Sequence, residues 1–408
     1  MKIFRNPLGA LPRHAPPAPL RLPQHGVDVR GITDTIRNAL QAAGLGTQHG
    51  MLTSVTDTIE QALAGAGLGH RDADAGGPST LDAESFHVVA PDASERAQER
   101  APSPSQRPAA GTFATHVYSC AEGTREYKLY VPAARADAPD ERRALVVMLH
   151  GCTQSPDDFA AGTRMNELAE RNGFLVAYPA QAPHANGSKC WNWFRAEDQQ
   201  RDRGEPSVLA GITREVAGAH GVDPRRIFVA GLSAGGAMAV VLATTYPEIY
   251  AAVGVHSGLP YGAAHDMASA FGAMKRPLAA VPASPAPGAR EGAADATVPT
   301  IVFHGNGDQT VHFRNGVDIA GRAAERHAQN TPLRKTVQEG TSAGGRRYSR
   351  IVYADGADRP RVEHWVVHGG GHAWSGGSPR GSYTDQAGPD ASAEMVRFFN
   401  AQAPAGTA

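Results

Sequence analysis

The chain of 408 residues has only three cysteines, Cys120, Cys152 and Cys190. That count excludes a disulfide-built scaffold and leaves room for a single bridge, in an oxidising compartment. Long apolar runs are missing as well: none approaches the roughly 18 residues that a membrane-spanning helix requires. Positive charge near the start, between Met1 and His14, is not followed by the uninterrupted apolar core of a secretory leader, so a cytoplasmic location is expected. Neither sign of charge prevails. With 39 basic and 40 acidic residues, a formal net charge of -1, nothing points to nucleic acid or an anionic membrane as the main partner.

What is present falls into stretches of different character. Residues 1–31 are proline-rich and aperiodic and read as a disordered lead. An internal repeat follows: Ile32 to Leu45 is echoed by Val55 to Leu68, identical at nine of fourteen positions. Each copy sets Thr and Asp ahead of an apolar i, i+4 pair, Ile36 with Leu40 and Ile59 with Leu63, and ends on Gly-Leu. This predicts two short amphipathic helices over 32–68. Helices so short have no core of their own and must dock on something. Residues 69–111, dominated by Ala, Asp, Pro, Ser, Arg and Glu, read as a flexible linker.

Residues 112–402 have the pattern of one packed domain. Phe113 to Ser119 and Arg125 to Pro132 predict an opening antiparallel pair. Apolar runs then alternate with helical stretches. The runs are Ala144 to Leu149, Phe174 to Tyr178, Ile227 to Ala230, Ala251 to Val255, Thr300 to Phe303 and Val362 to Val367. The helices are Asp157 to Arg171, Ser207 to His220, Ser233 to Thr245 and Ala391 to Ala401. Continuous apolar strands separated by helices imply an α/β fold, a mostly parallel sheet covered on both faces. Residues 262–298, rich in Ala, Pro and Gly, predict an irregular insertion, a lid or a solvated loop.

In a parallel sheet the loops at the carboxyl ends of strands collect functional groups. Four such ends here carry candidates. Arg226 to Met238 reads as strand, sharp turn, helix around Gly231-Leu232-Ser233-Ala234-Gly235, which would present the Ser233 hydroxyl outward at a helix N-terminus. His150-Gly151-Cys152-Thr153-Gln154 follows another strand and offers the Cys152 amide, with that of Ala234, as an oxyanion hole. His304 to Val311 supplies Asp308, placed to orient an imidazole. His368-Gly369-Gly370-Gly371-His372 supplies His372 as the base for Ser233. The order Ser233, Asp308, His372 is that of the α/β-hydrolase triad.

Other residues rank lower. His368 is expected to satisfy local hydrogen bonds, while His304 and His312 flank the acid loop. Nothing in the sequence sets a base beside Cys152, and no histidine pair has metal-ligand spacing, so neither a metal nor a cofactor is expected. Trp191, Trp193 and Trp374 fit either core packing or an apolar wall for an acyl or hydroxyacyl chain.

Leu149 to Gln154, Cys190-Trp191-Asn192-Trp193-Phe194, Gly231 to Gly236, His304 to Asp308 and Gly369 to Trp374 together resemble the poly(3-hydroxybutyrate) depolymerase type of esterase, over roughly residues 113–400. The resemblance implies an α/β-hydrolase fold and a Ser233, Asp308, His372 triad. It also implies an oxyanion hole near Cys152 and Ala234, and a polyester or small ester substrate cleaved through an acyl-enzyme. Feruloyl and acetylxylan esterases share these loops and remain an alternative. A protein of another class, granule-associated or binding through its repeat, is a further one. Many members of the family are extracellular, and there a Cys152 to Cys190 disulfide would brace the oxyanion loop; in a reducing cytosol both would stay thiols.

Overall fold

The structure is a computed structural model and describes residues 111–133, 142–275 and 297–403. The expected lead, the repeat and the linker up to residue 110 lie outside the described residues.

The chain opens with two antiparallel strands, β1 (Thr112–Cys120) and β2 (Gly123–Val131), and continues into β3 (Leu145–Leu149). Two helices follow where one was expected between Asp157 and Arg171: α1 (Pro156–Thr163) and α2 (Met165–Asn172). The break is Arg164, at φ 55°. Its guanidinium is drawn aside to the Gly376 carbonyl at 3.0 Å and the Asp390 carboxylate at 2.9 Å. Then come β4 (Leu175–Pro179), α3 (Gly204–Ala219), β5 (Ile227–Leu232), α4 (Ala234–Thr245) and β6 (Ala252–His256).

The stretch read as irregular, 262–298, contains a helix among its described residues, α5 (Met267–Lys275), which buries Ala270 and Ala273. Beyond it lie β7 (Thr300–Gly305), α6 (Arg314–Asn330), β8 (Arg334–Thr341), β9 (Arg347–Ala354), β10 (Pro360–Val367), β11 (Trp374–Ser375), β12 (Thr384–Asp385) and α7 (Ala391–Gln402).

Among the described residues the main sheet runs β1-β2-β4-β3-β5-β6-β7-β10-β9-β8. Its centre, from β4 to β10, is parallel, and antiparallel pairs close both edges. Strands β3 to β7 are buried along their whole length, which is why they read as unbroken apolar runs. Alternate residues serve opposite faces. Val147, Leu149 and Val229 join the core under α3 and α4, while Val146, Met148 and Phe228 join the core under α1, α2 and α7. The carboxyl ends of β3, β5, β7 and β10 therefore all open toward one edge of the sheet, carrying the loops singled out above.

Candidate active site

Ser233 is the single residue between β5 and α4, with φ 57° and ψ -118°. This is a backbone region that a side chain enters only at a cost of about 1–3 kcal/mol, so the surroundings must hold it there. They do so by close packing. A Cβ on Gly231 would lie 2.4 Å from the Gly235 carbonyl carbon, and one on Gly235 would lie 2.1 Å from the Leu149 oxygen. Only glycine at both positions lets strand, helix and the end of β3 meet. The turn is also tied to the neighbouring strand, since the Ser233 amide donates to the His256 carbonyl at 2.9 Å.

Asp308 and His372, distant in sequence, meet in the fold. Nδ1 of His372 lies 2.7 Å from Oδ2 of Asp308, whose side chain is fully buried. The other Asp308 oxygen accepts the amides of Thr310 at 2.9 Å and Val311 at 2.8 Å. His304 approaches Oδ2 at 3.4 Å while its Nε2 donates to the Val311 carbonyl at 2.8 Å, so it flanks the acid loop rather than serving as the base. Burial disfavours the Asp308 charge, but hydrogen bonds from His304 and His372, the charge of His372 and the Val311 amide outweigh it and hold this carboxyl well below the usual range. His368 sits off this axis, its ring shared between Ser349 Oγ at 2.7 Å and Asn306 at 3.3 Å.

In the loop after β3 three of four amides are committed: Gly151 to Gln154 Oε1 at 2.9 Å, Thr153 to the Ser188 carbonyl at 2.7 Å, and Gln154 to the Gly151 carbonyl at 3.3 Å. The fourth, of Cys152, has no partner among the described residues. Ala234 opens α4, so its amide has no acceptor inside the helix. Both amides are thus left able to donate.

Cys152 is disulfide-bonded to Cys190, which fastens this loop to the Trp191–Phe194 segment. The bridge spans a sequence separation of 38 residues, and closing a loop of that size stabilises by roughly 4 kcal/mol in the chain-entropy treatment. We expect Cys190→Ser, or reduction of the wild type, to lower the urea midpoint accordingly and to reduce turnover. Unchanged midpoints in both cases would show that the bridge contributes nothing.

The tryptophans take the packing role. Trp191 is fully buried and donates to the His150 carbonyl at 3.1 Å. Trp374 is buried against Phe159 and His256 and donates to Ser392 Oγ at 3.0 Å. Trp193 is buried edge-on to Phe194. Of the two roles expected for these rings, the packing one accounts for the contacts they make. Asn192 between them is held by the buried Glu205, through its amide at 2.7 Å and its side chain at 2.9 Å.

One residue escaped the sequence reading. His256 ends β6, wholly buried, and its ring stacks between Phe303 and Trp374. Its carbonyl takes the Ser233 amide and its Nε2 accepts the Ser375 amide at 2.9 Å. It thus joins the serine turn to the loop that bears His372. Burial, with the nearby His304 and His372, lowers its pKa to about 3, so it stays neutral and keeps Nε2 as an acceptor. A lone histidine at a strand end has no local signal that would have marked it. Among the described residues no group of three His, Cys, Asp or Glu side chains is arranged to hold a metal ion, and no helix is long and apolar enough to cross a membrane.

Residues 125–325 match the family described as Esterase PHB depolymerase. The chain is 33% identical over 247 residues to poly(3-hydroxyalkanoate) depolymerase C of Paucimonas lemoignei, covering 60% of this chain and 57% of that protein. It is 29% identical over 261 residues to the poly(3-hydroxybutyrate) depolymerase of Ralstonia pickettii, covering 61% and 51%. A probable acetylxylan esterase A of Aspergillus fumigatus is 29% identical over 210 residues, covering 49% and 54%. The chain thus spans somewhat over half the length of the curated relatives it matches. Among solved structures, an acetyl xylan esterase from Aspergillus awamori superposes with a TM-score of 0.51 at 19% identity, over 68% of this chain and 94% of that one, which shows the α/β-hydrolase fold.

Proposed function

We propose, from the match of residues 125–325 to the esterase PHB depolymerase family, that this protein is a serine carboxylic-ester hydrolase acting on poly(3-hydroxybutyrate), its oligomers or similar short-chain polyesters. The observation that carries the reading is the Asp308–His372 pair at 2.7 Å, on a loop that His256 ties to the strained Ser233 turn. In it, Ser233 Oγ attacks the ester carbonyl and His372 Nε2 takes the hydroxyl proton. The negative Asp308 stabilises the resulting imidazolium, and the amides of Ala234 and Cys152 receive the oxyanion. The alcohol leaves with the proton from His372, and a water activated by the same ring releases the acyl group from Ser233.

A fluorophosphonate probe tests the mechanism: it should label the wild type and not Ser233→Ala, and equal labelling of the two would sink the reading. A panel of hydroxybutyrate oligomers, acetylated xylan and feruloyl esters tests the substrate. The acetylxylan reading is kept because a relative of that name matches over 210 residues, and it prevails if acetylated xylan is turned over faster than the oligomers.

The disulfide supports action in an oxidising compartment rather than the cytoplasm. Thiol alkylation of protein from its native source checks this: one reactive thiol, Cys120, is expected before reduction, and three would return the protein to the cytoplasm.

A further inference from the structure

Tyr383 touches both the loop that bears His372 and the loop that bears Cys152, and its ring is open to solvent. Tyr383 precedes β12, which pairs with β11 so that Trp374 lies opposite Thr384. The Tyr383 carbonyl accepts the Trp374 amide at 2.6 Å, two residues beyond His372. Its neighbour Ser382 is bound to Asp158 through its amide at 2.8 Å and its hydroxyl at 2.5 Å. The Ser382 carbonyl takes Gln154 Nε2 at 3.1 Å, the side chain whose oxygen holds the Gly151 amide. Tyr383 is thereby lashed to the base loop on one side and the oxyanion loop on the other. Its hydroxyl lies 3.2 Å from Oγ1 of Thr153, the residue after Cys152.

Two features set this pair apart from ordinary surface. Thr153 at φ 66° and Tyr383 at φ 52° both occupy the left-handed region, where a β-branched or bulky side chain is strained. Yet the tyrosine is not buried by that strain: it stays 47% exposed. The surrounding hydrogen bonds hold an aromatic ring in the open, with its hydroxyl at the Cys152 loop and its carbonyl at the His372 loop.

The protons of the pair can be assigned. Thr153 Oγ1 lies 2.6 Å from the Cys152 carbonyl, which only accepts, so the threonine hydrogen is spent there. The Tyr383 hydroxyl is then the donor to Thr153. That leaves the pair with unshared lone pairs and no donor left over, beside a ring that is open to solvent. The interior of a polyester offers only the carbonyl and bridging oxygens of its esters, which find nothing to accept from. A chain bearing a hydroxyl has a proton to give.

We propose, on the basis of the serine-esterase reading, that Tyr383 and Thr153 form a subsite that recognises a hydroxyl group on the ester substrate, such as the free 3-hydroxyl of a hydroxyacyl chain. The ring covers the aliphatic carbons and the paired oxygens accept the hydroxyl.

The test uses the full chain and p-nitrophenyl esters of 3-hydroxybutyrate and butyrate, which differ by that hydroxyl alone. The wild type should prefer the hydroxybutyryl ester in kcat/KM, and Tyr383→Phe and Thr153→Val should each reduce the preference about 3- to 10-fold, mainly through KM. Free 3-hydroxybutyrate should also compete with substrate on the wild type better than butyrate does, a measurement that needs no variant to fold. A wild type without the preference, or variants that keep it in full, overturns the subsite. A wild type that reacts with neither ester nor with fluorophosphonate overturns the serine-esterase reading and the subsite with it, which sets the two failures apart.

Discussion

Ser233→Ala is expected to lower kcat by roughly 10⁵- to 10⁶-fold, because the attacking oxygen is removed while the residual rate rests on binding and the oxyanion donors alone. The same position offers a second reading of its role, through stability. Ser233 has φ 57°, which alanine tolerates no better than serine, whereas glycine adopts it freely. Ser233→Gly should therefore be as inactive as Ser233→Ala but more stable than it, by about 1 kcal/mol or more. That pattern, activity lost in both and stability gained in one, is what a turn strained for function produces. Comparison of the two variants by urea unfolding and by hydrolysis of p-nitrophenyl butyrate decides it. More than a hundredth of wild-type kcat in either variant would remove Ser233 from the nucleophile's place.

Much of this was legible in the sequence because the parallel strands are buried on both sides. Unbroken apolar runs such as Leu145 to Leu149 have no other cheap explanation, and the loops at their ends announce themselves by glycine. Legibility failed where burial is partial. The β8–β9 pair at the sheet edge is mostly half-exposed, its Arg334–Thr341 strand almost wholly polar, and so it carries no apolar run to notice. The α5 helix was hidden in an Ala-, Pro- and Gly-rich stretch that only its contacts make regular: the Ala273 carbonyl takes Asn315 Nδ2 at 3.0 Å and the Met274 carbonyl takes the His312 amide at 2.8 Å. The aromatic residues misled in one direction and were silent in another. Trp191 and Trp374 lie in conspicuous motifs and are core, while Tyr383, in an unremarkable Gly381-Ser382-Tyr383 run, has a ring left open. Exposure is a property of the closed fold, and no spacing along the chain encodes it. His256 was invisible for the same reason, since its work is done between two loops that meet only in three dimensions.

Asp308→Asn is expected to cost about 10⁴-fold in kcat with KM little changed, and the hydrogen bonds around the carboxylate explain why an isosteric change should be so severe. The amides of Thr310 and Val311 both donate to Oδ1. They fix the orientation of an asparagine at this position: its carbonyl must replace Oδ1, so its NH2 points where Oδ2 was. A donor then faces His372 Nδ1, and the ring is driven to the tautomer with its proton on Nε2. That nitrogen can no longer take the proton from Ser233, so the loss falls on the chemical step rather than on binding. Stability should follow the same carboxylate. Its pKa is depressed in the folded state, so its contribution is present above the ordinary carboxylate pKa, near 4, and is lost as pH falls through the lower folded value. Wild type and Asp308→Asn should therefore differ in unfolding free energy at pH 7 and converge as the pH is taken below about 4. A kcat within tenfold of wild type, or a stability difference that grows on acidification, would mean that Asp308 does not orient His372.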